Sequence, residues 1–327
     1  MSTATLEPPA VVWYRHPAPP KRRVPNWLIT AALVVLAVAL FFAGVGAAGG
    51  LVLGFAVLTP IERLFRRHEQ RVRRPGLRTD LFHLLLSGFA ATACLIVPVV
   101  IWTVLLIPVM PFAPATWFAS LSLWVQAPIA LLVQEFLGYW VHRLQHGVPF
   151  LWRFHAVHHS SQQLDWLSGA RLHPMEGAVI GAVAGPALLL LGVGPATLGV
   201  LGAVTSAWGV LLHMNVRWRM RWLDGIWSSP DFHHWHHSNH DGARNRNFAG
   251  FLPILDRLFG TYHLPWDERP TVYGINEPMP DGWWWQVAHP FRRPALAVPA
   301  VAEPTSFSVD RGTGSAAASD VSPCSSA

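Results

Sequence analysis

The chain has 327 residues, of which 52% are hydrophobic and only 13% charged, with a net charge of +6. Soluble domains carry roughly 25% charged residues, so this composition excludes an ordinary soluble enzyme, a disordered chain and a coiled coil. The basic excess sits beside apolar runs and not along one helical face, which argues for membrane-flanking charge and against nucleic-acid binding.

Residues 1–25 hold six prolines and read as a flexible N-terminal arm. Three stretches then lack Asp, Glu, Lys and Arg entirely: 24–61, 81–134 and 177–216. A helix needs about 20 apolar residues to cross a bilayer, so each stretch is too long for one span. The first has a small-residue centre at 43–50 and basic residues on both flanks, which predicts a hairpin. The second divides at 108–114 into spans near 81–107 and 117–140. The third divides near 192–195, and its arms of about 16 residues are expected to be tilted or partly inserted. The implied outer loops (43–50, 109–116, 192–195) contain no Lys or Arg, whereas the implied inner segments contain all of them. Every histidine-rich segment then falls on the cytoplasmic side. The expected fold is all-α: an integral membrane helical bundle of about four full spans plus short hydrophobic hairpin arms, under a cytoplasmic histidine-rich helical cap. Membrane spans occupy 26–127, a catalytic region 128–265, an interfacial segment 266–292 and a disordered tail 293–327. Trp283, Trp284 and Trp285 suit an interfacial belt, and 216–227 reads as lying on the inner leaflet.

Of 17 histidines, most are bunched. His142 and His146 are spaced i, i+4; His155, His158 and His159 are spaced i, i+3, i+4; His233, His236 and His237 repeat that pattern. On a helix each set projects to one side, and neutral imidazole suits iron, zinc, copper or nickel. Eight such residues exceed the four ligands of one zinc and suffice for two ions with open positions. With two cysteines there is no Cys-ligated zinc or iron–sulfur cluster, and without HExxH a metalloprotease is disfavoured. A dinuclear iron site beside a bilayer points to O2 activation and attack on lipid C–H bonds. Glu135 is the sole carboxylate in the span leading to the first cluster, two turns before His142, and is expected to orient a ligand imidazole. His234 lies about 100° off the ligand arc, so its replacement by Ala is expected to change metal content and activity little. His173 reads as packing or support, and His240 follows the expected helix end.

The motifs GYWVHRLQH (138–146), HAVHH (155–159), RLHPME (171–176), HMNVRW (213–218), SPDFHHWHHS (229–238) and DRLFGTY (256–262) resemble the fatty acid hydroxylase / sterol desaturase superfamily of membrane di-iron oxidoreductases. The resemblance covers roughly 130–265. It implies that His142, His146, His155, His158, His159, His233, His236 and His237 ligate two iron ions, with His213 completing the set; zinc is a substitute acquired on purification. It implies a role for Asn215 in holding a metal-bound water. One departure is Asn247-Phe248-Ala249-Gly250, where the family usually has Asn-Tyr-Gly, so a phenol hydroxyl is absent.

The activity so implied is O2-dependent hydroxylation or desaturation of a sterol, fatty acyl chain or related membrane lipid. The chain has no dinucleotide motif and no cluster cysteines, so electrons come from a separate protein of ferredoxin or cytochrome b5 type. Lipid substrate, bilayer and donor are the expected partners, and the cytoplasmic membrane the expected location. Carotenoid hydroxylation is an alternative of the same chemistry. A membrane metal transporter or a zinc-dependent membrane hydrolase are rivals of other classes, and a transporter would need ionisable groups along a mid-bilayer pathway.

Overall fold

The computed structural model describes residues 54–106, 116–219, 222–265 and 267–292. The arm at 1–25, most of the hairpin expected at 24–61, the loop at 108–114 and the tail at 293–327 lie outside the described residues. Within them the chain is all-helical, with isolated bridges but no strands.

Helix α1 (Thr59–Phe65) leads into a polar segment at 66–76. Four helical pieces then follow without a break: Leu77–Phe82, His83–Ser87, Gly88–Val100 and Ile101–Leu106, the second and fourth as π-helix. Together they form α2. Helix α3 (Leu123–Gly147) is 25 residues long, and α4 (Pro149–His159) follows after one extended residue, Val148. Helices α5 (Pro174–Leu191) and α6 (Pro195–His213) make a hairpin. Short helices α7 (Pro230–His236), α8 (Ile254–Leu258) and α9 (Trp283–Ala288) follow.

Helix starts are written in the sequence. Pro149, Pro174, Pro195 and Pro230 each take a first-turn position, where a missing N–H costs nothing and the fixed φ suits a helix. Ser229 caps α7 by accepting from Phe232 N at 3.2 Å, and His173 caps α5 by accepting from Met175 N at 3.0 Å. The α5–α6 turn comes at Gly192, whose φ of 87° is the left-handed conformation that glycine adopts without strain.

α5 and α6 contain 18 and 19 residues, longer than the arms expected there. α5 extends beyond the charge-free stretch because it begins three residues upstream, at Pro174, and takes Glu176 into its first turn. Both are long and apolar enough to cross a membrane, and these two meet that test among the described residues. α2 packs along α5, and α3 packs against α5 and α6. Large apolar side chains point outward from these helices, among them Phe89, Trp124, Leu132, Phe136 and Val183. Such a surface is a liability in water and the natural one in lipid.

At one end of the bundle a buried core of Ile61, Phe65, Trp166, Leu167, Met214 and Val216 joins α1 to the segments after α4 and α6. Buried ions lock the same junction. Arg74 pairs with Asp80 and Asp165, Arg171 with Asp80, and Arg67 with Asp231 in the first turn of α7.

Candidate metal centre

Nine histidines converge where these elements meet. α3 supplies His142 and His146; α4 supplies His155, His158 and His159; His213 is the last residue of α6; α7 and the residue after it supply His233, His236 and His237. They fall into two groups: His142, His146, His155, His159 and His236, and His158, His213, His233 and His237. Within each group the ligand atoms lie within 4.8 Å of one another. Each i, i+3, i+4 triplet is therefore divided. The i, i+4 pair of α4 joins the first group and its middle member the second, whereas α7 sends 233 and 237 to the second and 236 to the first.

The outer nitrogens are held. Nδ1–H of His142 donates to Phe248 O at 2.7 Å, His158 to Arg171 O at 3.2 Å, His213 to Gly209 O at 2.7 Å and His236 to Arg246 O at 2.8 Å. His155 Nδ1–H donates to Glu176 Oε1 at 2.9 Å. A carbonyl only accepts, so Nδ1 carries the hydrogen and Nε2 presents a lone pair inward. Two pairs then face each other acceptor to acceptor between Nε2 atoms: His158 and His213, both fixed by carbonyls, at 3.2 Å, and, with Glu176 ionised, His142 and His155 at 3.0 Å. Neutral imidazoles in these tautomers repel unless a cation lies between them. Protonation is not an easy remedy, because burial holds His155 and His158 well below the ordinary histidine value. His159, His233, His236 and His237 are lowered for the same reason, with their imidazole neighbours adding to it.

The donor set fits metal ions. Other Nε2 contacts are similar, 3.0 Å for His155–His159 and for His213–His237, and 3.1 Å for His213–His233 and for His233–His237. Metal–imidazole bonds of about 2.1 Å place right-angled neighbours about 3.0 Å apart and tetrahedral ones about 3.4 Å apart. The observed contacts are short enough for neighbouring donors to share one ion. The buried Nε2 atoms of His146 and His236 have no hydrogen-bond partner, as atoms reserved for a metal would not.

The supporting residues differ from the sequence reading in two places, Glu135 and Asn215. Glu135 touches no imidazole through its hydrogen bonds: its Oε1 accepts from Phe251 N at 2.7 Å and Leu252 N at 2.9 Å. Its effect on His142 is indirect, since it fixes the loop whose Phe248 carbonyl holds that ring. Asn215 is engaged elsewhere, its side chain accepting from His68 N and donating to His68 O, both at 2.9 Å, so its amide clamps the chain entering from α1. His234 is completely buried, with Nδ1 3.0 Å from Tyr273 Oη and Nε2 3.3 Å from His213 O. It faces away from both groups, as its phase requires, but it braces His213 from behind. Its burial makes its replacement costly to folding, a matter separate from metal content.

Glu176 is the carboxylate that the sequence reading did not single out. The signal was present: it is the sole carboxylate of α5, the same criterion that drew attention to Glu135. The altered Asn247–Gly250 loop is also in contact. Asn247, at a φ of 60°, bonds Phe232 O and His263 O, and the Phe248 ring packs on His142, His146 and His236. Asp256 of the DRLFGTY motif accepts from Phe248 N at 2.8 Å and Ala249 N at 2.9 Å, which explains that motif as the clamp of this loop. His173 bonds Val287 O, and His240 lies beside Thr271 outside both groups. His83 ties α2 to α9 through Gln286 at 2.9 Å.

Fold and site together define an all-α protein with an apolar helical bundle and a buried centre of two histidine groups. The fatty acid hydroxylase family model matches residues 127–261. An ornithine lipid hydroxylase of Rhizobium tropici is 34% identical over 243 residues, 73% of each chain. The alkylglycerol monooxygenases of Homo sapiens and Danio rerio are each 27% identical, over 51% and 54% of this chain. Those matches span 34% and 38% of the monooxygenases' own length. No solved structure matches the chain. The chain belongs to the fatty acid hydroxylase family.

Proposed function

We propose that this protein is a membrane di-iron oxygenase that hydroxylates a polar membrane lipid. The observation that carries the reading is the pair of acceptor-to-acceptor contacts, one in each histidine group. Each requires a cation, and nine neutral nitrogen donors shared between two ions leave positions open for substrate or oxygen. The hydroxylase and monooxygenase relatives favour insertion of oxygen over desaturation.

Bound iron supplies the O2-activating redox chemistry. The balance is one C–H bond, O2, two electrons and two protons giving one C–OH and one water. The electrons come from a separate donor protein. The chain's own residues orient and shield. Glu176 and the carbonyls of Phe248, Arg171, Gly209 and Arg246 hold the imidazoles in the ligating tautomer. Glu135 and Asp256 hold the loop that bears Phe248, and the Phe248 ring keeps water from the five-histidine group. The outward apolar faces of α2, α3, α5 and α6 support a position in the bilayer, and in this reading the centre lies at the cytoplasmic end of the bundle. The cytoplasmic membrane is its location in this reading.

The test is lipid profiling of a host with and without the protein. A new lipid species heavier by one oxygen, about 16 mass units, and absent with His236→Ala supports the reading. A species lighter by two hydrogens makes the enzyme a desaturase, and an unchanged lipid profile with active, metal-loaded protein contradicts the proposal.

A further inference from the structure

A cavity of about 700 Å³ lies outside the two histidine groups, between the 54–77 region and residues 163–167. Its size is that of a small-molecule site. Exposed Arg63, Arg71 and Arg73 line it, and among the described residues none of the three has an ion-pair partner. Gln70 and Gln163 also line it, and the Oε1 atom of each is a buried acceptor without a hydrogen-bond donor. Gln70 is fixed in this orientation, because its Nε2 donates to Leu164 O at 2.9 Å. Phe55 and Trp166 give the cavity an apolar wall. Three properties thus coexist: guanidinium groups for an oxyanion, acceptors for an N–H or O–H donor, and an apolar wall for hydrocarbon.

Position narrows the ligand. The arginines fall between the end of the first charge-free stretch at residue 61 and the beginning of the second at residue 81, the depth at which lipid headgroups lie. The cavity shares chain segments with the metal centre. Its lining residue Asn215 is two positions from His213, and Leu167 is two positions from Gly169, where an added Cβ would meet the His213 ring at 3.0 Å.

We infer that this cavity is the headgroup site for the lipid substrate, taking a headgroup that combines a phosphate or carboxylate with an N–H or O–H donor. This rests on the lipid-oxidation reading for the identity of the substrate, but binding is measured without turnover. The iron-loaded full chain in detergent is offered phosphatidylethanolamine, phosphatidylcholine or diacylglycerol, and retained lipid is read by native mass spectrometry. Phosphatidylethanolamine, with phosphate and N–H donors, is retained best, phosphatidylcholine less, and diacylglycerol least. Arg71→Gln/Arg73→Gln lowers retention of both phospholipids about tenfold, with iron content and thermal midpoint unchanged. Gln163→Leu removes the preference for phosphatidylethanolamine over phosphatidylcholine. Arg244→Gln, an exposed residue paired with Asp241, is the charge control and retains lipid as the parent does.

Inorganic phosphate at millimolar concentration leaves the lipid bound, because the apolar wall contributes to holding it. Complete displacement by phosphate alone overturns the headgroup assignment in favour of a free-anion site. Equal retention of diacylglycerol and phosphatidylethanolamine also overturns it. So does unchanged lipid retention by the double arginine variant together with a weakened rate dependence on donor protein, which assigns the arginines to donor docking. Lipid that is retained but never oxidised by active, reduced enzyme counts against the oxidation reading and leaves the binding site standing.

Discussion

Glu176→Ala isolates the contribution of a single hydrogen bond to the centre. Its Oε1 accepts from His155 Nδ1 at 2.9 Å, deep inside the protein. Without it, the buried N–H of His155 loses its acceptor, at a cost of about 1–3 kcal/mol. The ring recovers part of that by moving its hydrogen to Nε2, but in that tautomer it cannot ligate. Partners of this kind are worth about 10–100-fold in metal affinity or activity, and His155 sits centrally, touching both His142 and His159 at 3.0 Å. We expect Glu176→Ala to lose iron from the five-histidine group about 10–100-fold more readily against a competing chelator. Glu176→Gln, whose amide oxygen still accepts, keeps most of it. The assay is iron content after graded chelator dialysis, read beside lipid product. Parental iron retention in Glu176→Ala refutes the reasoning, and a Gln variant as poor as the Ala variant assigns the effect to charge instead of the hydrogen bond.

Asp80→Asn breaks a buried triad with Arg74 and Arg171, and we expect a loss of about 3–5 kcal/mol, read as a fall in thermal midpoint. His234→Ala removes a buried hydrogen bond from the His213 carbonyl and one of several from the Tyr273 hydroxyl; it costs about 1–3 kcal/mol of stability, while the protein that does fold retains its iron. The metal-free protein is sensitive to acid. His155, His158, His159, His233, His236 and His237 are held neutral by burial, while the unfolded chain takes up protons near the ordinary value of about 6.5. Their contribution is complete above that pH and is lost as pH falls toward the lowered folded values, so the thermal midpoint drops steeply between pH 7 and 5. Reporters fused after residues 75, 165 and 270 read cytoplasmic and one near 112 reads external; an external signal at 165 separates the histidines across the bilayer.

The histidine set was legible because helical periodicity is a local property: i, i+3, i+4 spacing fixes a shared face whatever surrounds it. The sharing of each triplet between two groups was not legible, since it depends on how α4 and α7 cross. Carboxylate roles failed for a related reason. Glu135 is in phase with His142 along α3, but phase places a residue on a face and does not choose its partner. Two backbone amides from a loop more than a hundred residues away reached it first. Glu176 met His155 only because α5 packs against α4. Asn215 lies two residues from His213, yet the chain turns after α6, and its amide pairs with the His68 backbone instead. The break at 192–195 was readable from Gly192 and Pro195, while arm length was underestimated because helices continue through Glu176 and His213 at their polar ends.

Metal stoichiometry tests the central claim most directly. Protein purified under reducing, iron-replete conditions should carry about two iron ions per chain, one for each histidine group. His236→Ala in the first group and His237→Ala in the second should each reduce that to about one and abolish lipid oxidation. A single zinc ion per chain with full activity, or undiminished iron and activity in either variant, contradicts the account.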